Sequence, residues 1–333
     1  MNIQEYQNVF VLAEQRDGVL QSVALELLGK GREIADTTKS KLVAVLVGHQ
    51  IEGLVNDLIA HGADHVIYVD DPCLAHYTTE PYAQAIYPIL ADKKPNIVLI
   101  GATSIGRDLA PRLAAKLHTG LTADCTRLSV DEAGALLMTR PAFGGNLMAG
   151  ILCPNHRPQM STVRPGVMRK LARDDARKGS KEIYKIKFNT SRFLVEVVEE
   201  IKETKAKVRI EDAKILVSGG RGVGKENMPM LEALAKELKG TVSASRAVVD
   251  AGLIDHDRQV GQTGKTVRPD VYFALGISGA IQHIAGMEES EFIIAVNKDK
   301  YAPIFAIADL GIVGDVRKIV PLLTEEIRQL RKK

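Results

Sequence analysis

Short runs of Val, Ile and Leu, each followed by a segment of helical periodicity, constrain this chain more than any other feature. NVFVLAE (8–14), KLVAVLVG (41–48), HVIYVD (65–70) and NIVLIG (96–101) are too uniformly apolar to alternate between a wet face and a dry one. They read as strands buried on both faces, the signature of a parallel sheet covered by helices. Leu20, Val23 and Leu27 fall on one helical face between the first two runs, and IGRDLAPRLAAKL (105–117) reads as a helix after the fourth. Strand–helix alternation closes through right-handed crossovers into an α/β sheet. The pattern restarts near residue 214. KILVSGG (214–220) is followed by a helix with Leu231, Leu234 and Leu238 on one face, then by the expected strands VYFALGI (271–277), FIIAVN (292–297) and PIFAIAD (303–309), and finally by the helical tail VPLLTEEIRQLRKK.

Between these two halves the character changes. Residues 122–166 read as strands and hairpin turns, with Asp131–Gly134 and Gly144–Gly145 as turn signals. The basic, polar stretch 164–182 is expected to be a surface loop or arm. Residues 196–214 are charged, with few large apolar side chains, and place a domain boundary near 205. The 333-residue length accommodates two domains, 1–205 and 206–333. The fold class that follows is α/β, with two Rossmann-like domains built on parallel sheets.

Composition removes several functional classes. A net charge of +3, no Trp and 5% aromatic residues supply neither a cationic face nor stacking platforms for nucleic acid. Cys73, Cys125 and Cys153 are odd in number, far apart and without a C-x-x-C, which fits a reducing compartment. Cys153 and His156 have a metal-like spacing but no second pair. The start MNIQEYQNVFVLAEQ has no secretory pattern, and no apolar run approaches the roughly 18–20 residues of a membrane helix, so no membrane insertion and a cytoplasmic location are expected.

Two stretches imitate a phosphate loop. In GQTGKT (261–266), Gln259 stands where the first glycine of G-x-x-x-x-G-K-[ST] is required, and the stretch precedes an expected strand instead of following one. In GGRGVGKEN (219–227) the glycines are spaced correctly, but Glu226 replaces the magnesium-binding hydroxyl. Nucleotide hydrolysis is therefore an alternative with a missing element in each loop. An adenine-nucleotide-binding regulatory module is another, suggested by the Rossmann-like first domain. Three loops after strands, GGRGVG, SGAIQH and NKDK, are placed to face one dinucleotide, with Ser278 expected to cap the helix GAIQHIAGM. Gly220, Gly222 and Gly224 give G-x-G-x-G, which does not support a standard nicotinamide site.

From Gly219 to Val320 the chain closely resembles the alpha subunit of electron-transfer flavoprotein. The resemblance rests on GGRGV, SASRAVVDAG, QVGQTGKTVRP, GISGAIQHIAGM and AVNKDKYAPIFAIADLGIVGD, with looser support from GRDLAPRLAAKL, GLTADCT and STVRPGVM in the first half. It implies one FAD in the carboxy-terminal domain, held by Arg221, Ser245, Arg246, Val260, Gly261, Gln262, Thr263, Ser278, Gly279, Ala280, Ile281, Gln282, His283, Asn297 and Asp315. It assigns Thr263 to flavin N5, Arg246 to the isoalloxazine as a cation favouring the reduced form, and His283 to the O2 edge. Ser278 and the N–H groups after it go to the pyrophosphate. The residues alone equally allow Arg246 as an ion pair with Asp250, and without the resemblance they favour His283 as a satisfied helix histidine. The resemblance further implies an electron-transfer flavoprotein beta subunit, carrying AMP or a second FAD. It also implies single-electron exchange with an acyl-CoA dehydrogenase. It leaves open whether the complex bifurcates electrons from NADH, with ferredoxin as an acceptor. Asp255-His256-Asp257, ahead of RQVGQTGK, departs from the common pattern and leaves the first donor open.

Overall fold

The structure is a computed structural model that describes residues 2–131, 134–142, 147–201 and 209–331. Gly144, Gly145 and the expected boundary at 205 lie outside the described residues. The chain divides into two compact units, the first running to residue 202 and the second from 203 onward.

In the first unit the apolar runs are strands β1 (Gln7–Ala13), β2 (Leu42–Gly48), β3 (His65–Asp70) and β4 (Pro95–Gly101). Helices α1 (Ser22–Thr37), α2 (Thr79–Lys93) and α3 (Ser104–Lys116) alternate with them. Leu20 belongs to a short arm, Val19–Leu20, ahead of α1, while Val23 and Leu27 lie on its buried face. Next come β5 (Leu121–Cys125), β6 (Arg127–Val130), β7 (Leu136–Ala142), β8 (Leu147–Ile151), β9 (Gln159–Val163) and β10 (Ser180–Ile183). One parallel sheet runs β10-β3-β2-β1-β4-β9-β5, with Val9 of β1 opposite Leu42 on one side and Ile97 on the other. Strands β6, β7 and β8 form a separate antiparallel sheet. Every residue of β2 is buried, as a central parallel strand requires. Apolar clusters cover both faces, one containing Leu27, Leu28 and Ile34, the other Ile86, Ile89 and Leu113.

Two strands of this sheet have no hydrophobic signature. Strand β9, QMSTV, is buried throughout despite three polar residues. Gln159 satisfies itself there: its Oε1 accepts from the Leu136 N–H (2.9 Å) and its Nε2 donates to the Gly134 carbonyl (3.0 Å). The basic stretch 164–182 is a tethered return rather than a free arm. The Gly166 N–H donates to buried Glu26 (2.7 Å), Arg173 pairs with Asp57 (2.6 Å), Arg177 pairs with Asp64 (2.7 Å), and the stretch ends in edge strand β10.

The second unit contains β11 (Ile215–Gly219), α4 (Met228–Leu238), β12 (Thr241–Ser245), β13 (Gln259–Val260), β14 (Val271–Leu275), β15 (Ile293–Asn297), β16 (Leu310–Val313) and α5 (Val316–Leu330). Its parallel sheet runs β13-β12-β11-β14-β15-β16, the doubly wound dinucleotide-binding order. Tyr272 and Ile304 lie in the cluster on one face, Leu231, Leu234 and Val320 in that on the other. The expected strand PIFAIAD is instead a 3₁₀ turn, Pro303–Ala306, and the edge strand is the following LGIV. Pro303 has no N–H for a sheet ladder, and Ile304 N–H donates to the Ser278 carbonyl (3.1 Å), which holds the turn against the preceding loop.

Asp64 locks the amino-terminal edge of the first sheet. Its carboxylate accepts from the Leu42 N–H (2.8 Å), from Arg32 (2.6 Å) and from Arg177 (2.7 Å). Burial alone would raise this carboxyl; the Leu42 N–H and the Arg32 guanidinium outweigh it and hold it below its ordinary value. Its contribution is therefore complete above the unfolded value, about 3.9, and fades as pH falls through the lower folded value. Asp64→Ala is expected to cost about 1–3 kcal/mol at neutral pH, the range for hydrogen bonds to a charged group discounted for partial solvation. Urea unfolding followed by exchange of the β2 amides measures it, and the difference from wild type should shrink below pH 4.

Candidate functional site

At the carboxyl ends of β11 and β14 the strand order of the second unit reverses, and a crevice opens there by necessity. Its floor is glycine against glycine. The Gly220 N–H donates to the Leu275 carbonyl (2.8 Å) and the Gly222 N–H to the Gly276 carbonyl (3.1 Å). A Cβ on Gly220 would overlap the Gly276 carbonyl, and one on Gly276, whose φ is +64°, would lie 2.9 Å from the Gly222 carbonyl carbon. Side chains are excluded at this junction, and the resulting cleft has a volume of about 650 Å³, within the range of small-molecule sites.

Of the residues expected at a cofactor, Arg221, Ser245, Arg246, Val260, Gly261, Gln262, Thr263, Ser278, Ala280, Gln282, His283 and Asn297 line this one cleft. Gly279, Ile281 and Asp315 are not on its wall. Gly279, with φ +87°, packs against Pro303 and Ile304 and shapes the loop. Asp315 caps α5 through the Arg317 N–H (3.0 Å) and pairs with Arg317 (2.7 Å) and Lys298 (3.2 Å). Ser278 does not cap a helix: the helical turn is only Ile281–Ile284, and its cap position is Ala280. Gly220, Gly222, Ala247, Asp250, Gln259, Gly276 and Ile277 also line the cleft. Of these, Gly220 and Gly222 belong to the GGRGVG loop already read from the sequence, and Gly276 carries a readable signal, a glycine directly after a strand in LGISG.

The loop Ser278–Gln282 carries the clearest ligand chemistry. None of its five consecutive N–H groups donates a hydrogen bond among the described residues. Asn297 braces it by donating Nδ2–H to the Ile277 carbonyl (2.9 Å). Unspent backbone donors in a concave loop suit an anion such as a pyrophosphate. Arg221 is exposed and has no ion pair among the described residues. Arg246 makes one long contact to Asp250, 3.3 Å, with both side chains about two-thirds exposed (68% and 63%). A pair that open holds the guanidinium weakly, so the ion-pair reading and a ligand role are compatible. Thr263 accepts from Gln259 Nε2 (3.0 Å), which orients its hydroxyl at the rim.

The imitation phosphate loop is spent on itself. The N–H groups of Gly261, Gln262, Gly264 and Lys265 donate to the carbonyls of Lys265, Gln282, Gly261 and Gln259 at 3.1, 2.7, 3.0 and 2.7 Å. Lys265 is paired with Glu211 (2.7 Å). Neither the backbone cradle nor the lysine of a phosphate loop is on offer. The corresponding crevice of the first unit is closed as well. Gln15 Nε2 donates to the Val47 carbonyl (3.2 Å), and Thr103 donates to Glu14 (2.6 Å), which leaves a space of about 30 Å³ beside a carboxylate. That is room for about one water and not for a nucleotide at this crevice. No group of metal-ligating side chains, and no helix long and apolar enough to cross a membrane, occurs among the described residues.

The second unit is thus a dinucleotide-binding domain of the flavin class. Residues 9–189 match the electron transfer flavoprotein domain and residues 209–288 the electron transfer flavoprotein FAD-binding domain. The chain is 55% identical to the electron transfer flavoprotein subunit alpha of Thermoanaerobacterium thermosaccharolyticum, over 98% of this chain and 99% of that protein. It is equally 55% identical, over the same shares, to that of Clostridium acetobutylicum. It is 47% identical to a protein of Anaerotignum propionicum named acryloyl-CoA reductase electron transfer subunit beta, over 98% of this chain and 97% of that one. The chain belongs to the electron transfer flavoprotein alpha subunit family, and its cofactor is FAD.

Because the cleft floor tolerates no side chain, Gly220→Ala should lower the stability of the second unit by more than about 1 kcal/mol and reduce bound flavin. Gly224→Ala is the control. Gly224 has φ +78° but no atom nearer than 3.6 Å to an added Cβ, so it carries backbone strain without the clash. Thermal unfolding and flavin absorbance per chain report both effects. Equal flavin occupancy in Gly220→Ala and wild type would contradict the close approach.

Proposed function

We propose that the cleft between β11 and β14 holds the FAD, and that the chain acts as one subunit of a heterodimer that carries single electrons to or from an acyl-CoA dehydrogenase. The observation that carries the cofactor reading is the run of five unspent N–H groups at Ser278–Gln282, a loop whose Ser278, Ala280 and Gln282 line the same cleft as the cations Arg221 and Arg246. FAD, when bound, supplies one-electron redox chemistry that no side chain provides. The chain's part is to bind, orient and tune. Ser278–Gln282 would hold the pyrophosphate, and Gly261–Thr263 would bring backbone and a hydroxyl to the ring system. Arg246, charged at any working pH, would set positive charge where electrons are added.

The name of the Anaerotignum propionicum relative supports an acyl-CoA-directed partner. An electron-transfer flavoprotein beta subunit is the partner that the family implies, and the first unit offers it surface. Leu147, Met148 and Leu152 are each more than half exposed along and just after β8, and Leu194, Val195, Val198 and Ile201 are exposed beyond β10. Exposed large apolar residues grouped in this way along the chain are candidates for an interaction face. Copurifying the partner and counting flavins tests the assembly. One flavin per heterodimer supports the simple shuttle, and two support the bifurcating arrangement. A flavin-free complex would overturn the proposal.

Arg246→Ala is expected to retain FAD while shifting its midpoint potential to more negative values, on the order of tens of millivolts, where about 59 mV is tenfold for one electron. A spectroelectrochemical titration reads this. An unchanged potential would remove Arg246 from the tuning role and return it to its pair with Asp250.

A further inference from the structure

At the amino-terminal edge of the first unit's parallel sheet, the end opposite its closed crevice, lies a separate hollow with a volume of about 280 Å³. Gln7 and Asn8 line it from the start of β1, Thr38 and Lys39 from the turn between α1 and β2, Asn96 from the start of β4, and Gly134 from the turn before β7. No carboxylate side chain lines it among the described residues. Doubly wound sheets take their ligands at the other end of the strands, so the fold alone gives this hollow no role.

Hydrogen bonds around the hollow fix which way its amides face. The Lys41 N–H donates to Oδ1 of Asn8 (3.0 Å). Only an oxygen can accept there, so Nδ2 is the end of Asn8 left over. Asn96 is set by a relay. The Leu136 N–H donates to Oε1 of buried Gln159 (2.9 Å), which commits the Gln159 Nε2 to the Gly134 carbonyl (3.0 Å) and to Oδ1 of Asn96 (3.3 Å). Nδ2 of Asn96 is again left over, and a Cβ added to Gly134 would lie 3.6 Å from it. Neither Nδ2 donates a hydrogen bond among the described residues.

Lys39 has no ion pair among the described residues. The carboxylates close by are engaged: Glu5 pairs with Lys94, and Asp131 accepts from the Ala135 N–H (2.9 Å). The Thr38 hydroxyl donates to the Ile34 carbonyl (2.9 Å) and meets the Ser40 hydroxyl (2.9 Å). Two unspent amide nitrogens and an ammonium therefore share one wall. We propose that this hollow is a binding site for a small oxyanion, a phosphoryl or carboxylate group carried by a molecule of a few more atoms. Hydrogen bonds from such donors to an ionised oxygen are the strong, charge-assisted kind. Lys39 supplies its charge from φ +51°, just past the end of α1, a position where glycine is the residue of least strain.

The test is amide hydrogen exchange of the copurified, FAD-bound complex, titrated separately with sodium phosphate and sodium acetate at an ionic strength held constant with chloride. The expected result is saturable slowing of exchange at residues 39–41, where the Lys41 N–H is bonded to Asn8. The anion that saturates at the lower concentration names the group, phosphoryl or carboxylate. Lys39→Gly removes the cation from a turn that glycine adopts without strain, so it should fold about as stably as wild type. It should weaken binding by about tenfold or more, the worth of one hydrogen bond to a charged group. Asn96→Asp still offers Gln159 an oxygen but sets a carboxylate in the hollow, and should abolish binding. No saturable protection with either anion would overturn the proposal, as would equal affinity in Lys39→Gly and wild type. Should Asn96→Asp fail to fold, Lys39→Gly decides the matter.

Discussion

Two backbones meet with no side chain between them at the tips of β11 and β14, and the rest of the second unit is arranged around that contact. The hydrogen bonds from Gly220 to Leu275 and from Gly222 to Gly276 carry the sheet's pairing past the ends of the strands. The strand order reverses at this point, so the chains that follow lead away to opposite sides of the crevice. The loop after β14 then passes over the crevice with its N–H groups unspent, while the loop after β13 folds back on its own carbonyls. A crevice with donors on one wall and arginines at its mouth is the consequence.

The same geometry explains why two phosphate-loop imitations occur in a protein that uses neither as one. Glycine-rich loops beside strand ends serve close backbone approach of any kind. In GQTGKT the approach is of protein to protein: an added Cβ on Gly286 would lie 2.5 Å from Gly261 Cα, and one on Gly261 would lie 2.9 Å from the Gln282 carbonyl oxygen. Lys265 is held by Glu211. In the proposed assignment the anion is met by the next loop, Ser278–Gln282, whose N–H groups are unspent.

Much of this was legible in the residues. Uniformly apolar runs such as KLVAVLVG gave their strands because a central parallel strand must be apolar on both faces. Loops after strands located the cleft because doubly wound sheets bind ligands there. The failures also have physical causes. QMSTV is buried yet polar, its Gln159 satisfied by backbone groups of residues 134 and 136, and no hydropathy pattern reports a satisfied polar strand. PIFAIAD has the composition of a strand, but its proline lacks a donor and its Ile304 N–H is claimed by the Ser278 carbonyl. Ser278 looked like a helix cap because it precedes a helical pattern, yet the turn it precedes begins only at Ile281.

One cleft, in the second unit, is proposed to hold the cofactor, while the matching crevice of the first unit is filled by its own side chains. Amide hydrogen exchange of the complex with and without FAD tests this most directly, because it reports on both crevices in one measurement. Protection by FAD is expected at residues 220–222, 245–247, 259–263 and 276–283, with no change at 13–15, 47–48 and 101–106. Protection at the first-unit crevice, or none at 276–283, would contradict it.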